Sequence, residues 1–170
     1  GPGIEEFIAK DLRWLRERIE LGSYCLLTTH FHLLVRTGDD PGALAELMQS
    51  VKSAYTRECR ARGRTGQIFD GPYEADPIAD RGRLRRAAVY VHLNAGDDPT
   101  YRYCSYPGWS AGRIPVWLNG AERLIESIDG LESHETALRR TIAARRARRE
   151  VDAYADELAE TIRLLKAGRG

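Results

Sequence analysis

The stretch SYCLLTTHFHLLVRT, residues 23–37, decides the fold of this chain. Residues 23–28 and 31–37 are apolar and β-prone, a very short polar break joins them, and the turn-rich residues 38–41 follow. We therefore predict two strands, paired as a hairpin. His30 and His32 are separated by one residue, so both side chains lie on one face of the predicted strand while Phe31 points to the other.

Two imidazoles on one strand face can hold a metal ion. Such pairs suit manganese, zinc, nickel or iron, and they hold magnesium when amide, carboxylate or phosphate oxygens complete the shell. The same His-hydrophobic-His pattern also occurs where histidines are satisfied by hydrogen bonds or by solvent. On its own, the pair leaves both interpretations open.

The pattern around the hairpin predicts helices on both sides of it. Apolar residues at three- and four-residue spacing predict a helix from Ile4 to Leu21, ended by Gly22. A second stripe runs from Gly42 to Gly63 and includes Tyr55, which by pattern alone is a core residue. After these come a loop with one strand in residues 64–82, a helix at 82–93, an irregular aromatic segment at 101–109, and a helix-prone tail at 122–165 that breaks near Asp129-Gly130.

The order helix, strand, strand, helix, strand matches five of the six elements of a ferredoxin-like sandwich. We expect an α+β fold with an antiparallel sheet, helices on one face, and the first strand missing. The predicted domain covers residues 4–112, and residues 113–170 form a helical C-terminal extension. Whether the tail dimerises, covers the active site or binds nucleic acid stays open, so a homodimer is one of the alternatives.

The length of 170 residues and the hydrophobic content of 42% fit one domain followed by a tail. The apolar runs are too short to span a bilayer and the start lacks a basic-then-apolar signal, so we expect a cytoplasmic protein with no membrane partner. Cys25, Cys59 and Cys104 have no CxxC spacing and are expected to be ordinary core residues.

Positive charge is concentrated after the second predicted helix begins. The net charge is only +1, yet five bases face a single acid, Glu58, within residues 52–64. A local patch of this kind can bind phosphate even when the total charge cancels, although a solvated helix end has the same composition. The bases are Lys52, Arg57, Arg60, Arg62 and Arg64.

Several motifs in order resemble the REP-associated tyrosine transposases, a branch of the HUH single-strand transposases. Residues 24–34, YCLLTTHFHLL, resemble their YxxMPNHxHLL stretch, and residues 51–57, VKSAYTR, look like their nucleophile helix. Residues 63–73, GRTGQIFDGPY, resemble the GRxGxxWQGRY loop, residues 90–94, YVHLN, match YxHLN, and residues 103–106, YCSY, are similar to WSSY.

The resemblance implies a metal-dependent endonuclease and transposase that acts on hairpin-forming single-stranded DNA. A divalent metal, Mg²⁺ or Mn²⁺, would be held by His30 and His32, and Tyr55 would be the nucleophile that forms a 5′-phosphotyrosine intermediate. The bases of residues 52–64 would contact backbone phosphates, and Tyr73 would stack on bases. For His92 and Asn94 we expect a structural role, capping a helix or bridging to the sheet.

The chain departs from the family pattern at the position of the further metal ligand. Relatives carry Asn or Gln one turn past the tyrosine, where this chain has Glu58, Cys59 and Arg60. Glu58 is the candidate third ligand, because a carboxylate suits Mg²⁺ or Mn²⁺ better than a thiol does. The departures motivate a first alternative, a domesticated relative that binds structured single-stranded DNA or RNA without cutting it. A further alternative is a structural or toxin-like partner protein with inert histidines.

Overall fold

The protein has an α+β architecture, as expected from the sequence. This computed structural model describes residues 18–40 and 42–167. Within them lie a two-stranded antiparallel sheet and five helices: β1 (Glu20–Leu26), β2 (Phe31–Arg36), α1 (Ala43–Ala61), α2 (Arg81–His92), α3 (Tyr106–Ser110), α4 (Ala121–Ser127) and α5 (Gly130–Ala167).

The predicted hairpin is confirmed. Strands β1 and β2 pair in antiparallel register, with Cys25 opposite His32 and Leu26 opposite Phe31. The Leu27 N–H donates to the His30 carbonyl at 2.9 Å and closes the turn. His30 therefore stands at the last residue before β2, and His32 stands inside it.

The first predicted helix is wrong at its C-terminal end, because β1 already begins at Glu20. The remainder of that prediction, up to residue 17, lies outside the described residues. A β-bulge between Leu21 and Ser23 interrupts the strand pairing at Gly22. A Cβ at Gly22 would lie 2.6 Å from Leu124 Cδ2, so the glycine serves close packing of α4 rather than the end of a helix.

The outer edge of β1 is covered by chain from the second half of the molecule. The Leu26 N–H donates to the Tyr103 carbonyl at 2.9 Å, and the Ser105 N–H donates to the Tyr24 carbonyl at 3.0 Å. The Asn119 side chain accepts from the Leu21 N–H at 2.9 Å and donates to the Ile19 carbonyl at 3.0 Å. These contacts satisfy the backbone of β1 without a third full strand.

The helix predicted at 42–63 is confirmed as α1, but the strand predicted within residues 64–82 is wrong. Residues 62–80 contain no strand, and residues 71–77 are exposed. Pro72 and Pro77 cannot donate to a strand ladder, which explains why this segment stays irregular. Helix α2 then starts from Asp80, whose side chain accepts from the Arg83 N–H at 2.8 Å as an N-cap.

The predicted break near Asp129-Gly130 separates α4 from α5. Both residues have positive φ, 69° at Asp129 and 87° at Gly130, in the left-handed region that Asp and Gly tolerate best. Arg81 and Arg85 form ion pairs with the Asp129 carboxylate and hold this corner against α2.

The main core packs both halves of the chain around the hairpin. Its buried members include Leu21, Tyr24 and Leu26 from β1 together with Leu47 and Val51 from α1. The segment after residue 112 contributes as well, through Leu118, Ala121, Leu124 and Ile128. The core cluster therefore crosses the boundary predicted between residues 112 and 113.

None of the helices in the described part of the chain is long and apolar enough to cross a membrane.

Candidate metal and nucleic-acid site

The two histidines of the hairpin lie side by side. Their ring centroids are 5.1 Å apart and the rings meet edge to face. His30 is exposed and lies 2.9 Å from the Thr29 hydroxyl through Nδ1, whereas His32 is half-buried. The His30 imidazole is therefore accessible to solvent, whereas the His32 imidazole is partly covered by the rest of the protein.

Helix α2 and the turn that follows it bring Tyr90 and Asn94 to His32. The Tyr90 ring centroid is 5.2 Å from that of His32, and the Asn94 side chain lies close enough to His32 to act on the pKa of its imidazole. Tyr90 lies in the last turn of α2, and Asn94 lies two residues after its end. Tyr90 is 53% exposed, so its hydroxyl can be reached from solvent.

The surroundings of His32 favour its neutral form. Burial lowers the pKa of His32 and the nearby His30 lowers it further, while the hydrogen bond with Asn94 acts in the opposite direction. A neutral imidazole is the form that ligates a metal.

Tyr55 packs against a phenylalanine rather than against the histidine pair. Its ring contacts Phe69, with centroids 5.6 Å apart, and Phe69 in turn lies 6.4 Å from Phe31. Phe31 points away from the histidine face of β2. Within the described residues, Tyr55 makes no ring contact with either histidine, so the tyrosine that the fold brings to His32 is Tyr90.

The environment of Tyr55 also opposes its ionisation. Burial raises the pKa of Tyr55, and a hydrogen bond with Cys59 raises it further, whereas the charges of Arg64 and Arg62 act in the opposite direction. The net direction is upward, away from that of an activated nucleophile.

Glu58, the third ligand expected from the sequence, is engaged by an arginine. Its Oε1 accepts from Arg62 Nε at 2.7 Å on the exposed side of α1. Across residues 18–40 and 42–167, no group of three or more His, Cys, Asp or Glu side chains is arranged to hold a metal ion. His30, His32 and Asn94 instead supply two imidazoles and one amide oxygen, and this donor set fits a divalent metal that takes nitrogen and oxygen ligands.

A groove of about 530 Å³ lies between α1 and the loop that follows it. Three of the predicted phosphate contacts, Lys52, Arg57 and Arg60, line this groove together with Phe69. Lys52 Nζ lies 5.3 Å from the centroid of the Phe69 ring and donates to the Gly71 carbonyl at 2.7 Å. The groove thus combines positive charge with an aromatic ring that also contacts β2.

The remaining predicted nucleic-acid contacts lie outside this groove lining. Arg62 pairs with Glu58, and Arg64 follows the end of α1, where its N–H donates to the Cys59 carbonyl at 2.9 Å. Tyr73 is 38% exposed in the irregular loop. Of the six predicted residues, the structure gathers three.

His92 and Asn94, expected to share a structural role, have separate surroundings. His92 is fully buried, with Nδ1 2.8 Å from His134 Nε2 and Nε2 2.8 Å from Ser105 Oγ. The Ser105 hydroxyl oxygen accepts from the Tyr24 N–H at 3.0 Å, so His92 is linked to both β1 and α5. Asn94 belongs instead with His32.

The position of Tyr90 and Asn94 beside His32 was missed by sequence reasoning, although a signal was present. In YVHLN, the tyrosine lies near the end of the helix predicted at 82–93 and the asparagine follows that helix directly. An aromatic hydroxyl and an amide oxygen this close in the chain form a pair that can be sought beside a histidine pair.

Comparison of the chain with protein-family models, with curated proteins and with solved structures finds no match in any of the three.

Proposed function

We propose that the chain is a metal-dependent endonuclease and strand transferase, of the transposase type, acting on single-stranded hairpin DNA. The observation that carries this proposal is the approach of Tyr90 and Asn94 to His32, the inner member of the histidine pair. It differs from the hypothesis drawn from the sequence in the nucleophile, which we assign to Tyr90 rather than Tyr55.

His30, His32 and Asn94 are the proposed ligands of Mg²⁺ or Mn²⁺. A bound divalent metal would supply Lewis-acid polarisation of the scissile phosphate. The exposed His30 leaves the solvent side of the site accessible to a nucleic-acid strand. Asn94 lies beside His32, so the amide and the imidazole are close to each other before any ligand arrives.

Tyr90 is the proposed attacking group. Its hydroxyl oxygen forms a bond to phosphorus as the bond from phosphorus to the 3′ oxygen breaks. The phenolic proton leaves to solvent and the departing 3′ oxygen takes up a proton. The 5′-phosphotyrosine keeps the bond energy of the phosphodiester, so a 3′-hydroxyl can reverse the step and join strands without a nucleotide cofactor.

The groove lined by Lys52, Arg57 and Arg60 is the proposed path of the DNA backbone. Single-strand binding sites combine positive charge with aromatic rings on which bases stack, and Phe69 is the ring available here. Phe69 also contacts Phe31, the residue between the two histidines, so a strand in the groove runs toward β2.

A ferredoxin-like sandwich with its first strand missing remains our proposal for the finer fold. The order β1, β2, α1 corresponds to the central strand–strand–helix part of such a sandwich. The contacts of Tyr103, Ser105 and Asn119 along β1 support a sheet whose outer edge is completed by irregular chain.

The test is formation of a covalent adduct. We expect wild-type protein, incubated with a labelled hairpin oligonucleotide and Mn²⁺, to give an SDS-resistant protein–DNA species. Tyr90→Phe should abolish it, and Tyr55→Phe, the matched control, should retain it. Loss in Tyr55→Phe with retention in Tyr90→Phe would reverse our assignment of the nucleophile.

The second candidate function is binding of structured single-stranded DNA or RNA without cleavage. It is favoured by the groove, which needs neither the metal nor a tyrosine nucleophile. If wild-type protein forms no adduct with a panel of hairpins, and binding survives both chelation and Tyr90→Phe, cleavage is excluded and this second function replaces it.

A further inference from the structure

Two cysteines lie opposite each other at the covered edge of β1. Cys25 belongs to β1, Cys104 belongs to the irregular segment between α2 and α3, and the two form an isolated antiparallel bridge. Both carry free thiols, and the two residues are 0% and 3% exposed. The pair is thus buried at a point where two separate parts of the chain meet.

The backbone hydrogen bonds around the bridge show which kind of antiparallel pair it is. The Leu26 N–H donates to the Tyr103 carbonyl, and the Ser105 N–H donates to the Tyr24 carbonyl, so these bonds flank the two cysteines rather than join them. Residues opposite each other in this way have Cα atoms about 4.5 Å apart and side chains on the same face. Disulfides join residues whose Cα atoms are roughly 4.4–6.8 Å apart, so the backbone here is within the range for a sulfur–sulfur bond.

The side chains of the two cysteines meet beneath α2. Both belong to one buried cluster with Val91 of α2, and the two thiols lie close enough for each to act on the pKa of the other. Cys104 Sγ is also 3.9 Å from the carbonyl oxygen of His92, at the end of α2. The two sulfur atoms therefore lie together between β1 and α2.

The segment that carries Cys104 reaches the protein surface. Residues 93–105 contain no helix and no strand, and the two residues directly before Cys104 are exposed. The segment is held on β1 by the two backbone hydrogen bonds and by the Tyr101 hydroxyl, which donates to the Leu26 carbonyl at 3.0 Å. Irregular segments with few such contacts open locally at a much lower free energy than the whole fold. Local opening of this segment exposes the Cys104 thiol while β1 and α2 stay folded.

We propose that Cys25 and Cys104 form a redox-active dithiol, which a low-molecular-weight disulfide of the glutathione type converts into an intramolecular disulfide. The bond fastens the segment before α3 to the edge of β1, and a thiol reductant releases it. It lies one strand away from the candidate metal site, because Cys25 is also the register partner of His32. The exchange itself requires neither a metal ion nor a nucleic acid.

The exchange takes place in two steps. In the open segment, the Cys104 thiolate attacks one sulfur of the small disulfide, forms a mixed disulfide and releases one small thiolate. When the segment closes, the Cys25 thiolate attacks Cys104 Sγ, the bond between the two cysteines forms, and the second small thiolate leaves. The two cysteines lose two electrons and two protons in total. The small disulfide gains both electrons, and its two thiolates take up the protons.

The bond should stabilise the fold against heat. It closes a loop from residue 25 to residue 104 that contains α1 and α2. A cross-link across so long a stretch removes many conformations from the unfolded chain. The thermal midpoint of the oxidised wild-type protein should therefore exceed that of the reduced protein by roughly 5–10 °C.

Peptide mapping of the full wild-type chain identifies the bond directly. The folded protein is equilibrated with mixtures of reduced and oxidised glutathione, its remaining thiols are alkylated in denaturant, and it is digested with trypsin without reduction. Cleavage after arginine places the three cysteines in separate peptides, residues 19–36, 58–60 and 103–113. We expect a link between the first and the third peptide that grows with oxidised glutathione and disappears with dithiothreitol, while the second stays alkylated. A map in which Cys104 carries only glutathione or the alkyl group overturns the proposal, as does one in which links to residues 58–60 are equally abundant.

Thermal melting of two variants shows whether the stabilisation comes from this pair. Cys104→Ser should have the same midpoint in oxidised and in reduced buffer. Cys59→Ser is the matched control, because it removes a buried cysteine of α1 outside the pair, and it should keep the full shift. A completely linked wild-type protein without a shift overturns the fastening role, and so does a shift that Cys59→Ser abolishes. If Cys104→Ser fails to fold, the peptide map of the wild-type chain decides.

Discussion

The buried histidine pair is the residue-scale feature with the clearest consequence for stability. His92 and His134 touch through Nδ1 and Nε2, and one ring must donate where the other accepts. Burial lowers the pKa of His134 to about 4, and burial together with His134 lowers that of His92 well below its ordinary value. If both rings were protonated, two N–H groups would face each other without an acceptor.

We predict that acid destabilises the protein through this pair. In the unfolded chain these histidines titrate near pH 6.5. Below that pH the two histidines therefore bind protons in the unfolded state but not in the folded state. The free energy of unfolding should therefore be unaffected by the pair above pH 6.5 and should fall as the pH drops toward 4. The loss from His134 amounts to about 3 kcal/mol at pH 4.

Urea unfolding of wild-type protein and His134→Gln between pH 4 and 7.5 measures this effect. The variant should be less stable at pH 7.5, yet its stability should decline less steeply below pH 6.5. Because carboxylates titrate in both proteins, only the difference between the two slopes is informative. Parallel pH profiles would contradict the prediction.

At the candidate site, a second residue-scale prediction concerns Asn94. Asn94→Ala should weaken Mn²⁺ binding at least about 10-fold, since it removes a proposed ligand that lies beside His32. The control is Asn119→Ala, which removes an amide of the same type from the edge of β1. Calorimetric titration with Mn²⁺ gives the affinities, and equal binding by wild type and Asn94→Ala would exclude Asn94 as a ligand.

Sequence periodicity was sufficient to pair His30 with His32 because strand alternation depends only on neighbouring residues. It was not sufficient to select a tyrosine. Tyr55 and Tyr90 both lie on helices, and which helix reaches the histidine face of β2 depends on the packing of the whole core. That choice is a tertiary property, and no local pattern contains it.

At the scale of elements, the hairpin, α1 and α2 were predictable, since each has its own period and its own stop signals. The start of β1 was not, because residues 20–22 are held as a strand by Asn119 and by α4, far away in the chain. The prediction of a strand within residues 64–82 was wrong for the opposite reason. The β-prone residues there have no neighbouring strand to pair with, and two prolines interrupt them.

Two glycines at helix N-caps provide an element-scale prediction. A Cβ at Gly120, the N-cap of α4, would lie 2.9 Å from Glu20 Cβ and 3.0 Å from the Glu20 carbonyl carbon. Because backbone cannot move aside cheaply, Gly120→Ala should lower the free energy of unfolding by about 1–3 kcal/mol. Gly42→Ala at the N-cap of α1 is the control, with a nearest neighbour at 3.4 Å and an expected change below about 0.5 kcal/mol. Equal denaturation midpoints for the two variants would contradict this.

A second element-scale prediction concerns the groove beside α1. Arg57→Gln and Arg60→Gln should each weaken binding of a single-stranded oligonucleotide and reduce the steepness of its salt dependence by about 0.7 in the logarithmic plot. Arg139→Gln, on the exposed side of α5, is the control and should leave the salt dependence unchanged. Fluorescence anisotropy across a salt series measures both quantities. Unchanged slopes for Arg57→Gln and Arg60→Gln would remove the groove from the binding path.

At the scale of the whole molecule, the tail is part of the fold. Leu118, Leu124 and Ile128 complete the core that β1 and α1 begin, while His134 and Leu138 of α5 cover α2. A chain that ends at residue 112 leaves the apolar face of β1 uncovered and His92 without His134.

We predict that such a chain has no cooperative thermal transition, whereas a chain that ends at Arg149 unfolds cooperatively near the wild-type midpoint, because all of these contacts remain. Circular dichroism melting of the three lengths is the measurement. The shorter chain tests the domain boundary predicted after residue 112, and cooperative unfolding of that chain would support that boundary.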